Sequence, residues 1–164
     1  MTRRQLTLFV DESISDVIES VREKYNPEQF LLIKSHVTLC REDELINIEM
    51  VLNNLTKINC GPLAIAFEKV CRFKDGSGVW LPASNHNSSF QDLRIIALKN
   101  VVDNPKKHIP HITLMHPRNS ICTDRIFEQI EKVNFPESIT FKQISLIEQS
   151  DGKQWKILEL IDLY

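Results

Sequence analysis

Two tetrapeptides carry the chemistry of this sequence: His36-Val37-Thr38-Leu39 and His111-Ile112-Thr113-Leu114. In an extended strand, residues i and i+2 face the same side. His36 therefore stands beside Thr38 and His111 beside Thr113, while Val37, Leu39, Ile112 and Leu114 turn into apolar packing. Each motif offers one imidazole and one hydroxyl on a rigid strand, as a preorganised site requires. Two imidazoles opposed across a cleft supply a general base and a general acid near neutral pH. Two threonine hydroxyls supply hydrogen bonds to an anionic oxygen between them. A phosphodiester matches this set. One imidazole activates water or a hydroxyl, the other protonates the departing oxygen, and the threonines hold the nonbridging oxygens, with no metal required.

The flanking sequence supplies elements to hold the two strands. A strand over Gln5–Val10 precedes a helix whose capping box is Ser13 and Asp16 and whose apolar face is Ile14, Val17, Ile18 and Val21. The first motif closes a strand segment predicted over Leu31–Cys40. A helix with an acidic start at Glu42–Glu44 follows, burying Leu45, Ile48, Leu52 and Leu55. Leu63–Phe73 reads as a strand, turned at Asp75–Gly78 into Val79–Leu81. Ser89 and Asp92 cap a helix carrying Phe90, Leu93, Ile96 and Ala97. A basic loop over residues 99–110 leads to the second motif. A helix from Thr123 or Asp124, a strand from Pro136 to about Ile147, an Asp151-Gly152 turn and a strand over Gln154–Leu163 complete the chain.

The two halves share a plan. His36 to Phe67 spans 31 residues and His111 to Phe141 spans 30, while His36 to Gly76 spans 40 and His111 to Gly152 spans 41. Each half runs motif strand, helix, strand, glycine turn, strand. This predicts an α/β (α+β) protein of two pseudo-twofold related lobes around a central groove, forming one domain over residues 1–164.

Composition removes other classes. The chain is 164 residues with a formal charge of −2, 42% hydrophobic and 26% charged, as in an ordinary folded protein. That charge argues against long, non-specific contact with a nucleic acid backbone but not against a site for one nucleotide or one RNA end. No apolar run approaches a membrane span, and the N-terminal segment reads as a strand, not a targeting signal. Cys40, Cys60, Cys71 and Cys122 form no C-x-x-C pair, which points to a reduced, cytoplasmic setting. His108, His111 and His116 invite a zinc reading, but a regular strand sends His111 and His116 to opposite faces. No metal or other cofactor is expected. Paired carboxylates for glycoside chemistry and a glycine-rich phosphate loop are both absent from the pattern.

The two motifs resemble those of the 2H phosphoesterases, the superfamily that includes bacterial 2'-5' RNA ligase-like proteins and cyclic nucleotide phosphodiesterases. The resemblance extends to the Phe67–Phe73 strand with its hairpin, and to Ile144–Leu146 with the Asp151-Gly152 turn before Trp155. It implies two symmetric lobes with antiparallel sheets and outer helices, and metal-independent cleavage of 2',3'-cyclic phosphates to a 2'-phosphate. It also implies His36, His111, Thr38 and Thr113 as catalytic residues. Basic or aromatic residues near such a groove bind substrate in the family. Here they are Lys34, Arg41, Lys107, His108 and Arg118 beside the motifs, and Arg72 and Trp80 on the first hairpin. The expected partner is a nucleotide or RNA end bearing a cyclic phosphate, bound by a monomer away from membranes. His111 is read as base and His36 as acid. A 2'-5' ligase or phosphodiesterase on longer RNA, and a non-enzymatic nucleotide or RNA-end binder, are the competing readings.

Overall fold

The computed structural model describes residues 1–164. Strand β1 (Thr2–Phe9), helices α1 (Glu12–Tyr25) and α2 (Pro27–Leu32), and strand β2 (His36–Cys40) open the chain. Helix α3 (Ile48–Thr56) and strands β3 (Leu63–Ala66) and β4 (Cys71–Arg72) follow. The order then repeats as β5 (Val79–Pro82), α4 (Ser88–Ala97), β6 (His111–Met115), α5 (Asp124–Glu131), β7 (Ser138–Phe141) and β8 (Gln143–Ser150), closed by β9 (Lys156–Asp162).

Seven strands form an antiparallel sheet in the order β4-β5-β6-β2-β1-β8-β9, and β3 pairs antiparallel with β7 in a second sheet. The two motif strands are central neighbours, joined where Val37 faces Ile112. That pair marks the pseudo-twofold axis, and antiparallel order sets His36 alongside Thr113 and Thr38 alongside His111. The symmetry extends to irregularities: β1 shifts register against β2 between Leu6 and Thr7, and β5 shifts against β6 between Val79 and Trp80.

The lobes are not the two halves of the sequence. Strand β5, which follows the first glycine turn, finds its antiparallel partner in the second motif strand, and β8 pairs with β1. Each wing of this α+β fold therefore takes strands from both halves.

Packing sets the register. Val37, Leu39, Ile112 and Leu114 are essentially solvent-free, as are Leu6, Leu8, Val79 and Leu81 on the neighbouring strands. Each such side chain contributes about 1.5–3 kcal/mol by burial. A one-residue slip would turn His36 and His111 into the core, so these apolar anchors fix which face the imidazoles occupy.

Local chemistry moves some element boundaries from their expected places. Asp11, not Ser13, caps α1, accepting a hydrogen bond from the Ser13 N–H. The apolar Leu31–Ile33 stretch ends helix α2 instead of starting a strand, because Pro27 is preset for a first helical turn. The segment after Pro136 splits at Lys142: Ile139 and Phe141 pack within the small sheet, Ile144 and Leu146 within the large one.

Gly78 holds the β4–β5 hairpin against β6. A Cβ there would lie 2.4 Å from the Met115 carbonyl oxygen and 2.8 Å from the Phe73 ring. Gly78→Ala is expected to cost about 1–3 kcal/mol through this overpacking, read as a lowered midpoint in urea unfolding.

Candidate active site

His36 and Thr38 on β2, and His111 and Thr113 on β6, are half-buried, alternating with the buried anchors in an identical pattern on both strands. All four line one cavity of about 490 Å³. The imidazoles are oriented the same way. Nδ1 of His36 donates to the Lys34 carbonyl at 2.7 Å, and Nδ1 of His111 donates to the Ile109 carbonyl at 2.8 Å. A carbonyl only accepts, so both rings carry their proton on Nδ1 and leave Nε2 for proton exchange. Each ring also meets an aromatic neighbour on the adjacent strand: Phe9 edge-on to His36 at 5.9 Å, and Trp80 edge-on to His111 at 5.0 Å. Trp80 is itself stacked on Phe73.

Two buried arginines brace the segments that deliver the histidines. Arg22 of α1 donates to the Ile33 carbonyl at 2.7 Å and pairs with Glu19, whose other oxygen accepts the Ser35 N–H next to His36. Arg94 of α4 donates to the Leu39 carbonyl at the end of β2, to the Lys106 carbonyl at 3.2 Å, and pairs with Glu44. Their signal in the sequence is one cation at an inward position of each amphipathic helix, four residues after Ile18 and after Phe90.

The cavity is lined by cations. Arg3, Arg22, Arg41 and Arg118 line it with four of the chain's five histidines and one carboxylate, Glu28; Arg3, Arg22 and Arg41 also pair with Glu42, Glu19 and Asp43, and Arg118 makes no ion pair. Four arginines against one carboxylate in the lining favour an anionic ligand, although the whole chain carries a net charge of −2. Burial nevertheless holds the histidines neutral at pH 7. Burial pushes His36 down to about 4, aided by the positive charge of Arg22 and of a protonated His111. Burial likewise pushes His108 and His116 to about 4 and lowers His111.

These shifts have a sign in stability. Between pH 6.5 and about 4 the unfolded chain binds protons that the folded His36, His108 and His116 refuse. Stability is then full above pH 6.5, falls as the pH drops toward 4, and levels below that. His36 alone contributes up to about 3 kcal/mol of this loss. Calorimetry across that range is expected to show the melting temperature falling, with an added anion such as sulfate restoring part of it.

Of the residues singled out in the sequence, Arg41, His108 and Arg118 lie on this cavity with the two motifs. His108 approaches His111 at 5.7 Å between ring centres. Trp80 sits against His111 on the neighbouring strand without lining the cavity. Lys34 faces away, paired with Glu12 at the edge of a second cavity of about 390 Å³. Arg72 is held by Asp124 at 2.8 Å and lies over the Phe127 ring, outside the cavity. Lys107 is exposed and outside it too. The cavity adds groups that the sequence pattern did not bring forward, Arg3, Gln5, Gln149 and Trp155, and also His116, which the pattern had placed on the opposite face from His111. His116 reaches the same cavity as His111 because β6 ends at Met115, so strand alternation no longer governs its direction.

The fold is shared with known proteins. E. coli LigT, in a crystal structure complexed with ATP, superposes with a TM-score of 0.68 at 16% identity, covering 99% of this chain and 98% of that one. LigT complexed with 3'-AMP gives 0.67 at 16% identity, with coverage of 99% and 98%. TT0787 of Thermus thermophilus gives 0.64 at 15% identity, with coverage of 98% and 97%. No curated protein matches the sequence. Residues 10–153, a span that includes both motifs, match the model of the 2'-5' RNA ligase superfamily, and the chain therefore belongs to that superfamily, the 2H phosphoesterases.

Proposed function

We propose that this enzyme hydrolyses 2',3'-cyclic phosphate ends of nucleotides or RNA to the 2'-phosphate, without a metal. The observation that carries the reading is the pair of Nε2 atoms, both freed by Nδ1 hydrogen bonds, in a cavity lined by arginine and histidine. LigT, which shares the fold, has been crystallised with 3'-AMP and with phosphate. A small cationic cavity on a chain of net charge −2 suits one phosphate end better than a long RNA backbone. The reading takes residues 1–164 as one two-lobed monomeric unit. Its four free thiols, Cys40, Cys60, Cys71 and Cys122, suit a reducing cytoplasm.

The electrostatics favour the roles of the histidines opposite to those expected from sequence. Burial and the nearby Arg22 hold His36 neutral, which makes it the base. His111 is the acid, protonated as the anionic phosphate enters. His36 Nε2 takes a proton from water while the water oxygen attacks phosphorus. The bond from phosphorus to the 3'-oxygen breaks, and His111 Nε2 gives its proton to that oxygen. Thr38 and Thr113 donate to the nonbridging oxygens as their charge grows.

Thr38→Val and Thr113→Val are each expected to lower kcat about 10- to 100-fold, with a smaller change in KM. Steady-state kinetics on a cyclic mononucleotide checks this; unchanged kcat in both variants removes the threonines from the mechanism.

A further inference from the structure

His36 and His111 hold the same tautomer but lean on different peptide groups. The Lys34 carbonyl accepts from His36 Nδ1, and the N–H of that same peptide group, which belongs to Ser35, donates to Oε1 of Glu19. The Ile109 carbonyl accepts from His111 Nδ1, but the nitrogen of that peptide group belongs to Pro110, which has no N–H to give. Ser35 and Pro110 occupy equivalent positions. Each directly precedes its motif histidine and is buried. Each carbonyl also accepts from the neighbouring strand segment, Ser35 from the Val10 N–H at 3.0 Å and Pro110 from the Ala83 N–H at 2.8 Å.

The carboxylate behind Ser35 is fixed in place. Glu19 sits on α1 with its side chain 19% exposed, and its other oxygen, Oε2, accepts from the buried Arg22. Two hydrogen bonds in line therefore join a carboxylate, through one amide, to Nδ1 of His36. When Nε2 takes a proton, the ring becomes cationic and its Nδ1–H a stronger donor. The amide between them polarises, its N–H binds the carboxylate more tightly, and the two bonds strengthen together. No proton moves along this line: Nδ1 keeps its own and the carboxylate takes none. The ionisable groups that act on His36 are Arg22, His111 and Glu19, and of these only Glu19 favours the charged ring. At His111 the line stops at Pro110. Gln91 precedes Arg94 on α4 as Glu19 precedes Arg22 on α1, but it is uncharged and bonds the main chain of His108 in both directions.

We propose that Glu19 is a positioning residue for the base: acting through the Lys34–Ser35 peptide, it stabilises His36 as that ring takes its proton, and Pro110 withholds the same support from His111. The proposal rests on the function proposed above and gives the separate roles of the two imidazoles a structural cause. A ring buried enough to stay neutral is a weak base, and support that grows as the proton arrives offsets that weakness. The acid has the opposite need. It must release its proton to the departing oxygen, and a peptide group with no N–H leaves it free to do so.

Ser35→Pro tests the line without touching a charge. It removes the one N–H, and the other half of the fold already carries a proline at that place. The first readout needs no turnover. By NMR at pH 7, the His36 Nδ1–H resonance is expected to move upfield in Ser35→Pro, with the His111 Nδ1–H resonance unmoved. The second is the pH dependence of kcat on a 2',3'-cyclic mononucleotide. The plateau is expected to fall about tenfold with KM little changed. The rising limb is expected to move to lower pH, because a base that binds its proton less well is free at lower pH. A loosened site would lower kcat and leave that limb in place. An unmoved His36 resonance, an unchanged kcat, or a fall in kcat with the limb in place overturns the proposal. Glu19→Gln keeps an acceptor and removes the charge. It is expected to move the resonance and the limb the same way, and it decides alone where Ser35→Pro fails to fold; indifference to it overturns the part given to Glu19. If no cyclic phosphate is turned over, the proposed function falls, and the NMR comparison decides whether Glu19 acts on His36.

Discussion

Replacing His36 or His111 with alanine is expected to lower turnover of a 2',3'-cyclic nucleotide by about 10²- to 10⁴-fold, the range for loss of a positioned general acid or base. Both rings are half-buried on the cavity side of strands whose other face is anchored by Val37, Leu39, Ile112 and Leu114, so neither change removes a core contact. Each variant should melt near the wild-type temperature at pH 7.5. His36→Ala should lose less stability than the wild type on acidification, because the ring that refuses the proton is gone. The double variant is expected to be little slower than either single one, since base and acid act in one transition state. Full additivity of the two losses in log kcat would mean that the two imidazoles work in separate steps.

Arg94→Ala is expected to cost about 3–5 kcal/mol of folding stability. The Arg94 side chain is 3% exposed and its partner Glu44 15% exposed. Truncation strands the carboxylate and removes the donors that tie the Leu39 and Lys106 carbonyls together. Those carbonyls belong to the end of β2 and to the segment leading into His108 and His111, so kcat should fall along with stability. Urea unfolding gives the first number. The paired change Arg94→Met with Glu44→Leu separates the two effects: stability should largely return, because an apolar pair leaves no buried charge unmatched, while kcat stays low. Recovery of both would make Arg94 a packing residue with no part in positioning the site.

The motif strands were legible because their alternation is short-range: His36 and Thr38 share a face, Val37 and Leu39 oppose it, and the two copies share one burial pattern. The antiparallel sheets came only from the resemblance of the two motifs to the 2H phosphoesterases, while the duplication was legible from spacing. Which strand pairs with which was not, since spacing along the chain says nothing of the hydrogen bonds that carry β5 to β6 and β8 to β1. The same blindness concealed Arg3, Gln149 and Trp155. Residues 3 and 149 meet only because β1 pairs with β8. Trp155 reaches the site through its N–H bond to the Leu32 carbonyl. Proximity in sequence also misled. Lys34 is two residues from His36, yet it leaves the cavity for Glu12, since the chain at Lys34 has not yet entered the regular strand. Arg72 pairs instead with Asp124, a carboxylate at the start of α5 that lies remote in sequence.

The most direct test of paired-histidine phosphodiester chemistry is phosphorus NMR of the product formed from a 2',3'-cyclic nucleotide in the presence of a metal chelator, with the wild type beside His36→Ala and His111→Ala. One product is expected, the 2'-phosphate, formed at a rate the chelator leaves unchanged and lost in both variants. A 3'-phosphate product, turnover abolished by chelation, or hydrolysis that persists in either variant would contradict it.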